Sequence, residues 1–171
     1  MAIKILQKIQ SLDNTVKNNF NGSYTILSPK IERLLKWVPM VSVLLTNAER
    51  MGTKEELTKR VKIIALSETI LNGLLTPLKK WIARRRPDSF RLDSFPSAQT
   101  ATSFMGAEIL HQACKEKLPA LQMAGYTIAV ATAAISVYKK KHWLSDVVAG
   151  AIIGIAAAKI ASYLINKREL V

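Results

Sequence analysis

Residues 144–165, LSDVVAGAIIGIAAAKIASYLI, carry the architecture. Valine, isoleucine, alanine and glycine follow one another without the polar–apolar alternation of a half-buried strand, and the run is too long for a buried one. About 20 apolar residues in helical form cross a bilayer, and this stretch has that length. Gly150 and Gly154 lie one turn apart, a spacing that lets helices approach closely in lipid. Only Lys159 interrupts the run, and a lysine there can snorkel toward an interface.

The same reading extends toward the N-terminus. Pro119 opens a second apolar stretch, rich in alanine and threonine, to about Tyr138. Ser97 starts a helix through Ala101, Phe104, Met105, Ile109 and Leu110 to about Cys114. Thr53 with Glu56 forms a capping-box pattern for a helix over 54–83, strained or kinked near Gly73 and Pro77. Ser28-Pro29 opens a single helix through Leu34, Leu35, Val38, Val41, Leu44 and Leu45, ended by Met51-Gly52. Ahead of it, Ile5, Ile9, Leu12 and Val16 recur at helical spacing with Lys4, Lys8, Asp13 and Lys17 on other faces. That amphipathic helix ends near Asn21-Gly22. It either packs on the bundle or lies at a membrane interface. The predicted fold is all-α: residues 1–27 form the amphipathic helix and a linker, and residues 28–171 an antiparallel bundle of about five core helices. The two late apolar helices place it in a membrane, while the more polar early helices leave a soluble or peripheral bundle open.

Composition narrows the partners. The 171 residues carry a net charge of +13, with 49% hydrophobic residues and a mean hydropathy of +0.14. Such a balance points to anionic lipid or a phosphorylated small molecule. Nucleic acid is disfavoured, because no groove-reading motif or interleaved aromatic series accompanies the charge. The single Cys114 excludes an internal disulfide. No secretory signal is read at the start, where Lys4 and Lys8 interrupt the apolar pattern. Lysine and arginine crowd both ends of the bundle, so charge does not fix orientation.

Three separated stretches fall at helix ends that an antiparallel bundle brings together: Lys79 with Arg86-Pro87, then Pro96-Ser97-Ala98-Gln99, then Ser136, His142 and Asp146. Their order and spacing resemble the type 2 phosphatidic acid phosphatase superfamily, which includes bacterial acid phosphatases and vanadium haloperoxidases. Its signatures K-x6-R-P, P-S-G-H and S-R-x5-H-x3-D correspond to KKWIARRRP, PSAQ and IS-VYKKK-H-WLS-D here. The resemblance spans about residues 30–166.

It implies metal-free phosphoryl transfer with no cofactor, vanadate serving only as a phosphate mimic. Lys79 and Arg86 would hold phosphoryl oxygens. Ser97 and the backbone at Ala98 would add an anion site at a helix start, or Ser97 would act as an ordinary N-cap. His142 would be the nucleophile and Asp146 would orient its ring. Lys80, Arg84 and Arg85 read instead as a solvated basic run.

Two positions depart from the pattern. Gln99 stands where the general-acid histidine belongs and has no proton to give, a loss of about 10²–10⁴ in rate. Ser136 replaces a phosphate-binding arginine. The other histidine, His111, lies about 18 Å along the helix from Gln99 and cannot substitute. By spacing, Lys139 or Lys140 could restore the missing charge. The sequence therefore supports two readings: a weakened lipid phosphate or diphosphate phosphatase, and an inactive relative that binds anionic lipid or phosphate. By resemblance the protein is multi-pass in the inner or plasma membrane, with the site on the non-cytoplasmic side. Five spans would place Lys167-Arg168 inside and the N-terminal helix on the outer face.

Overall fold

Capping residues set where the helices begin. In the computed structural model, which describes residues 2–19, 28–46, 53–114 and 119–168, every regular element is an α-helix. In chain order they are α1 (Ala2–Asn19), α2 (Pro29–Leu35), α3 (Val38–Thr46), α4 (Lys54–Ile82), α5 (Ala98–Cys114), α6 (Pro119–Tyr138) and α7 (Leu144–Arg168). The Ser28 hydroxyl caps α2, accepting from the Ile31 N–H at 3.4 Å, and the Thr53 hydroxyl caps α4 through the Glu56 N–H at 3.3 Å. The expected ends near Asn21-Gly22 and Met51-Gly52 lie outside the described residues.

The expected single helix from Ser28-Pro29 to Leu45 is two helices. Pro39 has no N–H to continue the ladder, so the chain turns at Lys36–Trp37 and restarts one residue before the proline. Helix α4, by contrast, runs unbroken through Gly73 and Pro77. It ends at Ala83, a left-handed cap (φ 43°) whose N–H returns to the Lys79 carbonyl.

Helices α4, α6 and α7 are long and apolar enough to cross a membrane. With α5 they run up and down, so the end of α4, the start of α5, the end of α6 and the start of α7 meet at one pole. The core joins Leu71 and Leu75 of α4, Met105 and Leu110 of α5, Ala157 and Ala158 of α7, and Met40 and Val43 of α3. Glycine makes the central contact possible. A Cβ on Gly154 would collide with the Ala101 carbonyl oxygen, and one on Gly150 would stand 2.6 Å from that of Ser97. Helix α7 therefore lies against the backbone of α5 along the turn that carries Ser97.

Helix α1 docks by its polar face. Asp13, 3% exposed, accepts from the Ser145 N–H at 3.0 Å and from Arg84 at 2.7 Å, while Lys17 sits over the Trp143 ring. Ile5, Ile9 and Leu12 remain exposed, as an interfacial helix requires. The helix is thus fixed to the bundle and presents its apolar residues outward.

Candidate active site

The polar pole encloses a cavity of about 570 Å³ whose walls include Lys79, Arg86, Asp93, Gln99, Lys141 and His142. Residues from all three predicted stretches converge there, which is what the sequence argument required.

The connection after α4 folds back through its own backbone. The Ser94 N–H donates to the Arg84 carbonyl, and the Arg86 N–H to that of Arg91. Lys79 pins this loop by donating to the carbonyls of Asp93 and Pro96, each at 2.7 Å. An ammonium has three N–H donors, so one is left for the cavity. Arg86 grips the Asp93 carboxylate in a fork, Nε at 2.7 Å and a terminal nitrogen at 3.1 Å. The Arg86 bonds hold the Asp93 pKa down to about 2, against the opposing effect of burial.

His142 is 6% exposed and its Nδ1 lies 2.8 Å from the Ser94 carbonyl oxygen. A carbonyl can only accept, so Nδ1 carries the proton and Nε2 keeps its lone pair. Burial, reinforced by the Arg86 charge, pushes the imidazole pKa down to about 4. The ring is therefore neutral and nucleophilic at physiological pH.

Asp146 is not the ring's hydrogen-bond partner. Its nearest oxygen is 3.9 Å from Nδ1, beyond bonding distance. The fully buried carboxylate instead accepts from Arg84 at 2.6 Å, from the Ser94 hydroxyl and from the Trp143 N–H at 3.0 Å. Its backbone carbonyl also takes the Ser97 N–H. Asp146 reaches His142 at one remove, by holding the Ser94 hydroxyl while the Ser94 carbonyl takes the ring Nδ1–H. Two participants were thus missed in the sequence. Ser94 acts through its carbonyl, which any residue would supply, so its identity gives no signal. Arg84, taken for a solvated charge, lies between Asp13, Ser145 and Asp146. It escaped notice because its partners lie far along the chain, on α1 and α7. Lys80 and Arg85 are exposed as expected.

The remaining predicted residues divide. Ala98 and Gln99 line the cavity. Ser97 is fully buried and reaches the Thr100 hydroxyl at 3.0 Å and the Thr100 N–H at 3.5 Å, which makes it the α5 cap rather than part of the cavity wall. Ser136 is also buried, with its hydroxyl bonded to the Thr132 carbonyl. Lys139 and Lys140 are not on the cavity wall either. Lys140 takes the left-handed position (φ 54°) in the turn that ends α6, and Lys139 turns to Glu32. Lys141 lines the cavity in their stead.

Glu32 comes from α2, outside the stretches that the sequence singled out. It is 1% exposed, accepts from Lys139 at 2.8 Å and Lys141 at 2.6 Å, and takes the Gln99 amide N–H on its backbone carbonyl at 3.0 Å. Burial disfavours its charge, but the two lysines override that and hold its pKa below the usual carboxylate range. Chemically, the site offers a neutral imidazole on the wall of an open, cation-lined space with room for an oxyanion and part of the group that carries it.

Known proteins share the family pattern and the fold. The family model described as the PAP2 superfamily matches residues 60–170. Over 153 residues the chain is 29% identical to lipid A 1-phosphatase from Porphyromonas gingivalis, covering 89% of this chain and 34% of that protein. The chain therefore spans about a third of the length of that relative. The fold resembles the crystal structure of Aquifex aeolicus LpxE, with a TM-score of 0.62 and 20% identity over 89% of this chain and 93% of that one.

Proposed function

The chain belongs to the PAP2 superfamily, and from that premise we propose that it is a membrane phosphatase that hydrolyses a lipid phosphate or diphosphate without a metal, through a phosphohistidine at His142. The observation that carries this reading is the His142–Ser94 contact, which leaves Nε2 unprotonated on a residue that lines the cavity with Lys79 and Arg86. In the first step Nε2 attacks phosphorus and the bond to the leaving oxygen breaks. Positive charge appears on the ring, where the Ser94 carbonyl and the Asp146 carboxylate stabilise it. Arg86 and Lys79 face the charge spreading over the phosphoryl oxygens. Water then attacks phosphorus, the P–N bond breaks, and the neutral imidazole is restored as inorganic phosphate leaves.

Gln99 defines the preference. It reaches the cavity but its amide N–H is engaged by the Glu32 carbonyl, and an amide supplies no proton. Substrates whose leaving group departs as a stable anion are therefore favoured, and a lipid diphosphate releasing a lipid monophosphate meets that condition. The name of the Porphyromonas relative also points to a phosphate carried on a membrane lipid. The missing acid equally suits a second reading, in which the site binds a phosphate headgroup without turnover.

The test compares phosphate release from a lipid diphosphate and a lipid monophosphate by the detergent-purified chain, with His142→Ala as control. Turnover of the diphosphate above the control, with a ³²P-labelled acid-labile adduct, is expected. Release equal to the control on both substrates leaves the binding reading in its place.

A further inference from the structure

The cations at the polar pole are not equally committed. Arg84 is taken up by Asp13, Asp146 and Ser145. Lys79 spends two donors on carbonyls, and the Arg86 fork holds Asp93. Lys141 differs. One bond to Glu32 fixes its ammonium, its side chain is 34% exposed, and it lines the cavity with Gln99 and His142. Two of its three N–H donors are available to a ligand. Glu32 also holds Lys139, so its carboxylate is shared between two ammonium groups.

The backbone sets Lys141 beside the nucleophile. The N–H groups of Lys141 and His142 both reach the Ser136 carbonyl, at 3.1 and 3.3 Å. The last turn of α6 therefore delivers the two side chains as neighbours, with Glu32 approaching from α2. We propose that Lys141 binds the phosphoryl oxyanion directly and that Glu32 positions it, an assignment that rests on the reading of the cavity as a phosphoryl site. It gives α2 a role in ligand binding and supplies a cation close to Ser136.

The experiment measures affinity for orthovanadate, inorganic phosphate and a non-hydrolysable lipid phosphonate in the full chain in detergent. Lys141→Gln removes the charge and retains a donor for Glu32, so the fold is preserved. It is expected to weaken all three ligands about ten- to a hundredfold, the effect of losing a charge-assisted hydrogen bond. Lys141→Arg restores binding to within a few-fold. Lys139→Met, which removes the Glu32 partner that does not line the cavity, leaves affinity within about twofold. Unchanged affinity in Lys141→Gln, with Arg86→Gln still damaging, overturns the assignment and spares the phosphoryl site. An equal loss in Lys139→Met and Lys141→Gln overturns it as well, because the effect would then come from Glu32 alone. Weakening of the phosphonate but not of inorganic phosphate overturns it too, placing Lys141 on another part of the headgroup. A wild-type chain that binds none of the three overturns both this assignment and the phosphoryl-site reading.

Discussion

Two walls of one cavity are built on different plans. The first, formed by residues 79–97 and 142–146, closes on itself: Lys79, Arg86, Ser94, His142 and Asp146 are each fixed by another member of the same two segments. The second, formed by Gln99 and the end of α6, depends on an outsider, because Glu32 of α2 anchors Gln99, Lys139 and Lys141. The first wall matches the superfamily pattern. The second holds Gln99, and there Lys141, tied to the buried Glu32, lines the cavity. The comparison separates residues that fix one another at short range from residues that depend on a distant helix.

The largest expected effect lies on the second wall. If Gln99 alone limits turnover, Gln99→His should raise kcat on a lipid monophosphate by about 10²–10⁴, the usual contribution of a general acid. Diphosphate turnover should change far less, since its leaving group needs no proton. Steady-state phosphate release on both substrates measures the ratio, and an equal gain on the two would show that position 99 does not act as the acid.

On the first wall the next effect is on stability. Arg84→Met leaves Asp13 and Asp146, both nearly inaccessible to solvent, without their shared cation. Breaking such a pair costs about 3–5 kcal/mol, enough to lower the melting temperature in detergent sharply and to detach α1. Lys141→Met, on the more open second wall, should cost less than half of that. A similar loss in both would erase the distinction between a closed wall and a tethered one.

A pH profile sharpens the same contrast. The imidazole titrates near pH 4 in the folded chain against an ordinary value of 6.5. Its neutral form is therefore favoured by folding, and this contribution to stability is complete above pH 6.5 and is lost as pH falls toward 4. The acid limb of kcat/KM attributable to His142 is expected near pH 4. Arg86→Gln removes the charge that, after burial, does most to depress this value, so the limb should move toward 6.5. An unmoved limb would assign it to another group.

The first wall was largely legible in the sequence because its parts lie at fixed short spacings on helix ends. Lys79 precedes Arg86 across one cap, and His142 precedes Asp146 across the start of α7. Pro119, Thr53 and Ser28 marked helix starts because capping chemistry is local. The second wall was not legible. Glu32 meets Lys139 and Lys141 across more than a hundred residues, and no spacing encodes a contact made only when α2 docks. The same reason hid Arg84, whose partners come from α1 and α7. Helical spacing predicts a bond from Asp146 to the ring, whereas the short link through Ser94 has no counterpart in a pattern of side chains.

The smallest effect concerns the turn that joins the two walls. At the end of α6 the Lys140 N–H returns to the Val137 carbonyl and the Lys141 N–H to the Ser136 carbonyl, the two bonds of a Schellman motif. Lys140 occupies its left-handed position at φ 54°, where a Cβ crowds the backbone and glycine is at ease. Lys140→Gly should therefore stabilise the chain by about 0.5–1 kcal/mol, the relief of a left-handed side chain being partly offset by the greater freedom of glycine when unfolded. Because the motif fixes the course of the backbone into Lys141 and His142, vanadate affinity and turnover should stay unchanged as the melting temperature rises. Loss of affinity despite a higher melting temperature would mean that the strained lysine itself sets the distance between the tethered wall and the nucleophile.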